Sequence, residues 1–139
     1  NPVDLIIINN KNQLLLAKRS EKEDWYKDTW SIPWWTSEVW ESIEDTIHRE
    51  IKEELWCNIK WFKYFKSYYL KINNELSSRS FYFYWEIEWE IKLNQELSEY
   101  KWFDIFSQDI KKINMAYKQE NVIDDFIFFY KNNLSFNNK

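Results

Sequence analysis

Residues 41–56 read Glu41-Ser42-Ile43-Glu44-Asp45-Thr46-Ile47-His48-Arg49-Glu50-Ile51-Lys52-Glu53-Glu54-Leu55-Trp56. Ile43, Ile47, Ile51 and Leu55 recur every four residues, which predicts an amphipathic helix with one apolar stripe facing a sheet. Glu41, Glu44 and Asp45 fall at its N-terminal end, where the helix dipole favours anions. Trp56 falls just past its other end, where a left-handed residue, usually glycine, closes a helix. Glu50, Glu53 and Glu54 stand at i, i+3 and i+4, so three carboxylates are neighbours on the helix surface. Groups that close repel one another and raise each other's pKa. A divalent cation relieves that repulsion, and hard oxygen donors of this kind suit Mg2+ or Mn2+. Taken alone, the six acids between Glu41 and Glu54 are better explained as a solvated helix face. The residues on either side change that balance.

Upstream lies Trp30-Ser31-Ile32-Pro33-Trp34-Trp35, and Cys57 follows the helix. The chain holds ten tryptophans and no glycine, where an average composition gives about 7 % glycine. With tryptophan read at glycine positions, residues 35–57 resemble the signature of the Nudix (MutT-like) hydrolases, G-x5-E-x7-R-E-U-x-E-E-x-G-U, with U a bulky aliphatic. Glu41, Arg49, Glu50, Glu53 and Glu54 match every charged position in register. The two glycine positions are Trp35 and Trp56, and the last aliphatic is Cys57. The resemblance continues downstream in Trp89-Glu90-Ile91, Glu96, Glu99, Trp102 and Phe103, where the family often reads G-x-I, then E-x-x-E-x-x-W-F. By the same comparison Trp34, Trp40 and Trp89 also stand at family glycines, and Trp25, Trp61 and Trp85 are placed there too, at turns or strand ends. Trp30 and Trp102 remain as tryptophans the family would itself use. A UGA codon, read as glycine in one genetic code and tryptophan in another, would produce this exchange.

The resemblance implies an α+β fold, an α/β/α sandwich with a mixed sheet flanked by helices. It implies metal-dependent hydrolysis of a nucleoside diphosphate linked to another moiety, with nucleoside triphosphates, oxidised nucleotides and ADP-ribose as substrate types. Glu50, Glu53 and Glu54 are then the metal ligands, with Glu41 as an outer or second-metal ligand and the main-chain carbonyl of Trp35 in the shell. Glu53 is the first candidate for activating water, Arg49 orients the carboxylates, and Glu99 or Glu96 supplies a further ligand or base. Lys18 and Arg19 match a family pair that holds substrate phosphates, though a solvated pair explains them nearly as well. His48 is expected at the surface, and Cys57 in the core beside the helix end. The competing reading is a catalytically inactive nucleotide-binding module, disabled by bulky indoles where the metal loop needs glycine.

The rest of the chain agrees with such a fold. Val3–Asn9 and Gln13–Arg19 read as strands of a hairpin, turning at Asn9-Asn10-Lys11-Asn12. Residues 20–29 and 31–40 read as loops, and 60–72 and 80–93 as strands about a turn at Asn73-Asn74. Tyr100–Asp104 is a short strand, Gln119–Asn132 a second amphipathic helix, and residues 135–139 a frayed end. A length of 139 residues predicts one domain, 1–139. The net charge of −4, with acids and bases intermixed, gives no basic face for polymeric nucleic acid. One cysteine rules out an internal disulfide framework and, with no long apolar run, points to a soluble cytoplasmic protein. The expected partner is a small nucleotide, and the expected state a monomer or homodimer without a membrane role.

Overall fold

The computed structural model describes residues 2–19, 28–71, 74–75, 77–87 and 100–133. In chain order the elements are β1 (Pro2–Asn9), β2 (Gln13–Lys18), β3 (Trp30–Ser31), β4 (Trp34–Thr36), α1 (Ile43–Leu55), β5 (Lys63–Lys71), β6 (Ser77–Ile87), β7 (Tyr100–Asp104) and α2 (Gln119–Asn133). Two short 3-10 turns, Gln108–Lys112 and Ala116–Lys118, lead from β7 into α2. The sheet is mixed. Its main path runs β3-β2-β1-β6-β5, with β4 added on β1 and β7 on β2. Among the described strand pairs, β1–β6 alone is parallel, and it runs from Val3 opposite Phe81 to Asn9 opposite Ile87.

β1 is the hub. Val3 to Asn9 are all buried, as expected for a strand covered on both faces. Side chains alternate across a strand, so its residues divide between two cores. Ile6 and Ile8 join Leu14, Leu16, Tyr82 and Tyr84 under Val122, Ile123, Phe126 and Tyr130 of α2. Val3, Leu5 and Ile7 join Leu15, Trp85 and Ile87 against Ile47, Ile51 and Leu55 of α1. The result is the α/β/α layering implied by the sequence. Tyr130 Oη also donates to Asn12 Oδ1 (2.6 Å), which pins α2 to the turn between β1 and β2.

α1 starts where its sequence says it should. The Asp45 backbone N–H donates to Ser42 Oγ (3.0 Å), satisfying one of the free donors of the first turn. At the other end Trp56 adopts the left-handed conformation (φ 54°, ψ 34°), and its N–H donates to the Lys52 carbonyl (3.2 Å). A side chain with a Cβ costs about 1–2 kcal/mol there.

Several expectations need correction. Residues 31–40 are not one loop. They contain part of β3 and all of β4, because Trp34–Thr36 completes the ladder along the start of β1. Ile43 is 39 % exposed, because the apolar stripe drifts off the sheet in the first turn. Trp85 is not at a turn or strand end. It lies inside β6, 1 % exposed, with its ring in the α1-side core. Trp35 is likewise buried in that core, while Trp40 and Trp56 are 81 % and 71 % exposed. Trp30 and Trp102 are packed, Trp30 edge-on to Phe103 with ring centroids 4.9 Å apart. Cys57 is half-buried against the α1-side core, and burial pushes its thiol pKa up. Trp25, the strand end at 88–93, Asn73 and the chain's tail lie outside the described residues.

Two tryptophan substitutions should therefore move stability in opposite directions. Trp56→Gly relieves a left-handed residue and should stabilise the chain by about 1 kcal/mol or more. Trp85→Ala empties a core site and should cost about 3–5 kcal/mol. Urea unfolding of both variants checks the pair; equal losses would remove the distinction.

Candidate active site

The acidic residues of α1 converge on Arg49. Its Nε donates to Glu41 Oε2 (2.7 Å) and its Nη2 to Glu41 Oε1 (2.8 Å), a two-point fork between the middle of α1 and the residue just before its cap. Its Nη1 donates to Glu50 Oε1 (2.7 Å) and, more weakly, to Glu53 Oε2 (3.4 Å). Planar bidentate pairs of this kind fix orientation as well as charge. Glu41 Oε1 also accepts from the Glu38 N–H (2.9 Å) and the Thr46 hydroxyl (3.3 Å). These contacts hold the Glu41 carboxyl down at about 2, with the Arg49 hydrogen bond as the largest cause, and hold the Arg49 guanidinium above its ordinary range.

Glu54 is outside this network. Among the described residues it has no ion-pair partner. Partial burial pushes its pKa up, and the charges of Glu50 and Glu53 push it further. Tyr100, on β7, is also pushed up, first by burial and then by the charges of Glu54 and Glu50. Three carboxylates thus share one guanidinium, and Glu54 stands beside them without it. No three acid, imidazole or thiol side chains among the described residues are drawn together as a ready cage for a metal. The donor chemistry nevertheless suits a hard divalent cation: oxygen ligands only, one of them carrying unrelieved repulsion.

The other sequence candidates distribute as follows. Trp35 lies in β4, opposite Val3, and α1 packs near that strand. Lys18 is exposed at the end of β2. Arg19 is placed over the Tyr117 ring, 5.3 Å from its centroid, on the approach to α2 rather than beside α1. His48 is at the surface, its Nε2 3.9 Å from Glu44 Oε1. Glu96 and Glu99 lie outside the described residues, as do Trp89, Glu90 and Ile91.

One group escaped the sequence reading. Asp4 interrupts the apolar run of β1 and is 4 % exposed. Its Oδ1 accepts from Gln119 Nε2 (3.5 Å), which also donates to Tyr82 Oη (3.0 Å), while Gln119 Oε1 accepts from the Ile32 N–H (2.9 Å). Burial raises the Asp4 carboxyl to about 8. These groups line a cavity of about 290 Å³ between the sheet and the start of α2. The available signal was a lone acid inside a strand with hydrophobic neighbours on both sides.

Comparison with known proteins agrees with this architecture. The sequence model of the NUDIX domain matches residues 1–126, so the chain belongs to the Nudix family. The NUDIX domain of Shewanella oneidensis NrtR, solved with ADP ribose, superposes with a TM-score of 0.72 at 15 % identity, covering 92 % of this chain and 86 % of that one. MutT protein from Methanosarcina mazei Go1 gives 0.72 at 21 % identity, covering 94 % of each chain. The Ap4A hydrolase of C. elegans gives 0.65 at 17 % identity, covering 92 % of this chain and 96 % of that one. No curated protein matches the chain at a significant level. At these identities the structural likeness speaks for the fold.

Two pH dependences follow. Glu41 is depressed in the fold, so the stability it contributes is complete above its ordinary value of 4.5 and is lost as pH falls toward about 2. Glu41→Gln should remove that acid-range loss. Asp4 behaves oppositely: its folded value of about 8 lies above the ordinary 3.8, so the fold keeps a proton that the unfolded chain releases. Stability should fall as pH rises between those values, by up to about 1.4 kcal/mol per pH unit for one proton, and Asp4→Asn should flatten the slope. Denaturant midpoints from pH 3 to 9, about one unit apart, measure both.

Proposed function

We propose that this chain, as one domain over residues 1–139, is a metal-dependent pyrophosphohydrolase. It would cleave a nucleoside diphosphate linked to another moiety, giving a nucleoside monophosphate and the phosphorylated moiety. The observation that carries this reading is Glu54, a carboxylate without a cation partner among the described residues and crowded by Glu50 and Glu53 on the same helix. Such a group invites a cation, and the fork from Arg49 to Glu41 fixes the helix face that presents it.

Glu50, Glu53 and Glu54 would hold Mg2+ or Mn2+, with Glu41 and the Trp35 carbonyl completing the shell. Bound there, the ion would neutralise phosphate oxygens and make a bound water more acidic. Arg49 keeps Glu50 and Glu53 oriented through its two Nη1 contacts. Glu53 is the more solvent-exposed of the two, so it is the residue assigned to take the proton from the attacking water. Glu99 is the second candidate for that role. Lys18 and Arg19 are assigned to the substrate phosphates on the family resemblance alone, since Arg19 sits over the Tyr117 ring on the approach to α2. ADP-ribose, the ligand of the NrtR domain, and nucleoside triphosphates are the substrate types to assay first.

A second reading has one observation in its favour. Trp34 and Trp40 project exposed indoles from the segment that leads into α1, where a nucleotide-binding module without hydrolysis would tolerate them better than an enzyme. The same reading of the family resemblance holds that the gene specifies glycine at these positions. The codons decide it: UGA at Trp25, Trp34, Trp35, Trp40, Trp56, Trp61, Trp85 and Trp89, with UGG at Trp30 and Trp102, is the expected pattern.

The enzymatic test compares the chain as it stands with the version carrying glycine at seven of those positions, Trp85 being kept because its ring fills the α1-side core. Nucleotide hydrolysis by the glycine version should require Mg2+ or Mn2+ and stop with chelator. Glu53→Gln should lower turnover by on the order of 10²-fold or more. Near-normal turnover in both Glu53→Gln and Glu54→Gln would refute the assignment of the metal to α1.

A further inference from the structure

The β5–β6 hairpin carries a face that the α1 layer covers only in part. α1 packs chiefly on β4 and β1, and it meets the hairpin at a margin where His48 lies edge-on to Phe62, ring centroids 6.0 Å apart. β5 ends the main path of the sheet, so among the described strands nothing pairs with its outer edge. On the α1 side three cross-strand pairs form a row: Tyr64 opposite Phe83, Ser67 opposite Phe81, and Tyr69 opposite Arg79. Directly opposed residues share a face, and Phe83 marks which one, since it packs against the α1-side core. Tyr64 and Ser67 are three residues apart, a spacing that strict alternation would put on opposite faces. The register shift between Tyr64 and Lys66 brings them to the same one.

The row presents rings that the core does not use. Tyr64 and Tyr69 are 53 % and 64 % exposed, and Phe81 and Phe83 are half-buried. Tyr64 is propped edge-on against Phe83, ring centroids 5.6 Å apart. Arg79 is exposed, and its Nη1 donates to Ser67 Oγ (3.1 Å). Among the described residues no carboxylate pairs with Arg79.

Charge is segregated to the same stretch. In residues 60–80, Lys60, Lys63, Lys66, Lys71 and Arg79 stand against Glu75 alone, although the whole chain carries −4. The chain-wide balance conceals this local excess. Lysines on an edge strand ordinarily deter pairing with another strand. That accounts for Lys63 and for Lys66, which is also tied to Asp125 (3.7 Å). It does not account for an arginine on the face or for the exposed rings beside it.

We propose that this face binds single-stranded RNA, with bases stacked on Tyr64, Phe81 and Tyr69 and phosphates held by Arg79 and the edge lysines. Exposed rings on a sheet, set among cations, take unpaired bases because every base has a π-face. An anionic lipid surface fits less well, since residues 60–69 hold no aliphatic side chain to enter hydrocarbon. The hydroxyls of Tyr64, Ser67 and Tyr69 are partners for ribose 2′-hydroxyls, which DNA lacks. None of these residues belongs to the acidic network of α1, so the inference stands apart from the metal reading.

The experiment is fluorescence anisotropy of the full chain with chelator present, so that metal-dependent cleavage does not intervene. The probes are a 5′-hydroxyl uridine oligomer of about ten nucleotides, a length within the usual site size, the matching thymidine DNA and an RNA duplex of the same length. Vesicles containing phosphatidylserine are the fourth probe. The uridine oligomer should bind at least about tenfold more tightly than the duplex, whose bases are not free to stack, and more tightly than the DNA. Tyr64→Ala should weaken it by about tenfold, while Tyr64→Phe, which keeps the ring, should retain binding. Arg79→Gln should weaken binding and lower the slope of log affinity against log salt by about 1. All three changes are at exposed positions, and circular dichroism verifies that each variant is folded. The proposal is overturned if duplex or DNA binds as tightly as the uridine oligomer. It is equally overturned if folded Tyr64→Ala and Arg79→Gln keep the parent's affinity and salt slope, or if the vesicles are bound and the oligomer is not.

Discussion

The structure depends on β1 being covered on both faces. A strand in that position cannot turn a polar side to water, so each of its side chains must find an apolar neighbour or a hydrogen bond. Odd positions feed the core under α1 and even positions the core under α2. The parallel ladder to β6 and the antiparallel ladder to β4 then place Trp34 and Trp35 on opposite faces. A shift of one residue in that register would exchange the two cores and move Asp4 away from Gln119.

α1 solves a different problem. One face buries Ile47, Ile51 and Leu55, while the rest carries like charges close together. Surface repulsion of this kind is usually dispersed in a helix by alternating signs. Here a single guanidinium is shared by Glu41, Glu50 and Glu53, and Glu54 is left with the residual repulsion. Arg49 has a mechanical effect too: by gripping Glu41 it fixes the chain just before the helix cap, between β4 and α1. The segment that approaches the acidic face is therefore anchored at both ends, by the β1–β4 ladder and by this fork.

The tryptophans sort by the backbone that carries them. Trp56 closes a helix in the left-handed region, where the missing Cβ of glycine would remove strain. Trp40 sits in a turn with its indole in solvent. Trp85 and Trp35 found space in the core because strand positions next to β1 face the α1 layer, whose aliphatic residues can pack around a large ring. The same residue type therefore adds strain at one site and packing at another, and only its place in the ladder separates the two.

The sequence alone determined the helix 43–55, its cap, the grouping of its carboxylates and the family to which the chain belongs. These are local matters, set by spacing over a few turns of one element. The hairpin of β1 and β2, the strand at Tyr100–Asp104 and the extent of α2 were legible for the same reason. What tertiary structure decided is everything that needs two distant segments at once. The short strands β3 and β4 form only because β2 and β1 offer edges to pair with. Ile43 continues the stripe of Ile47, Ile51 and Leu55 in sequence, yet it is exposed and does not join their core. Arg19 meets the Tyr117 ring, a contact between two segments far apart in the sequence. Asp4 and Gln119 stand 115 residues apart in sequence, and no period or motif joins them. Their pairing exists because one strand lies beneath one helix, and burial there sets the chemistry of a carboxyl that, read along the chain, is only an interruption in an apolar run.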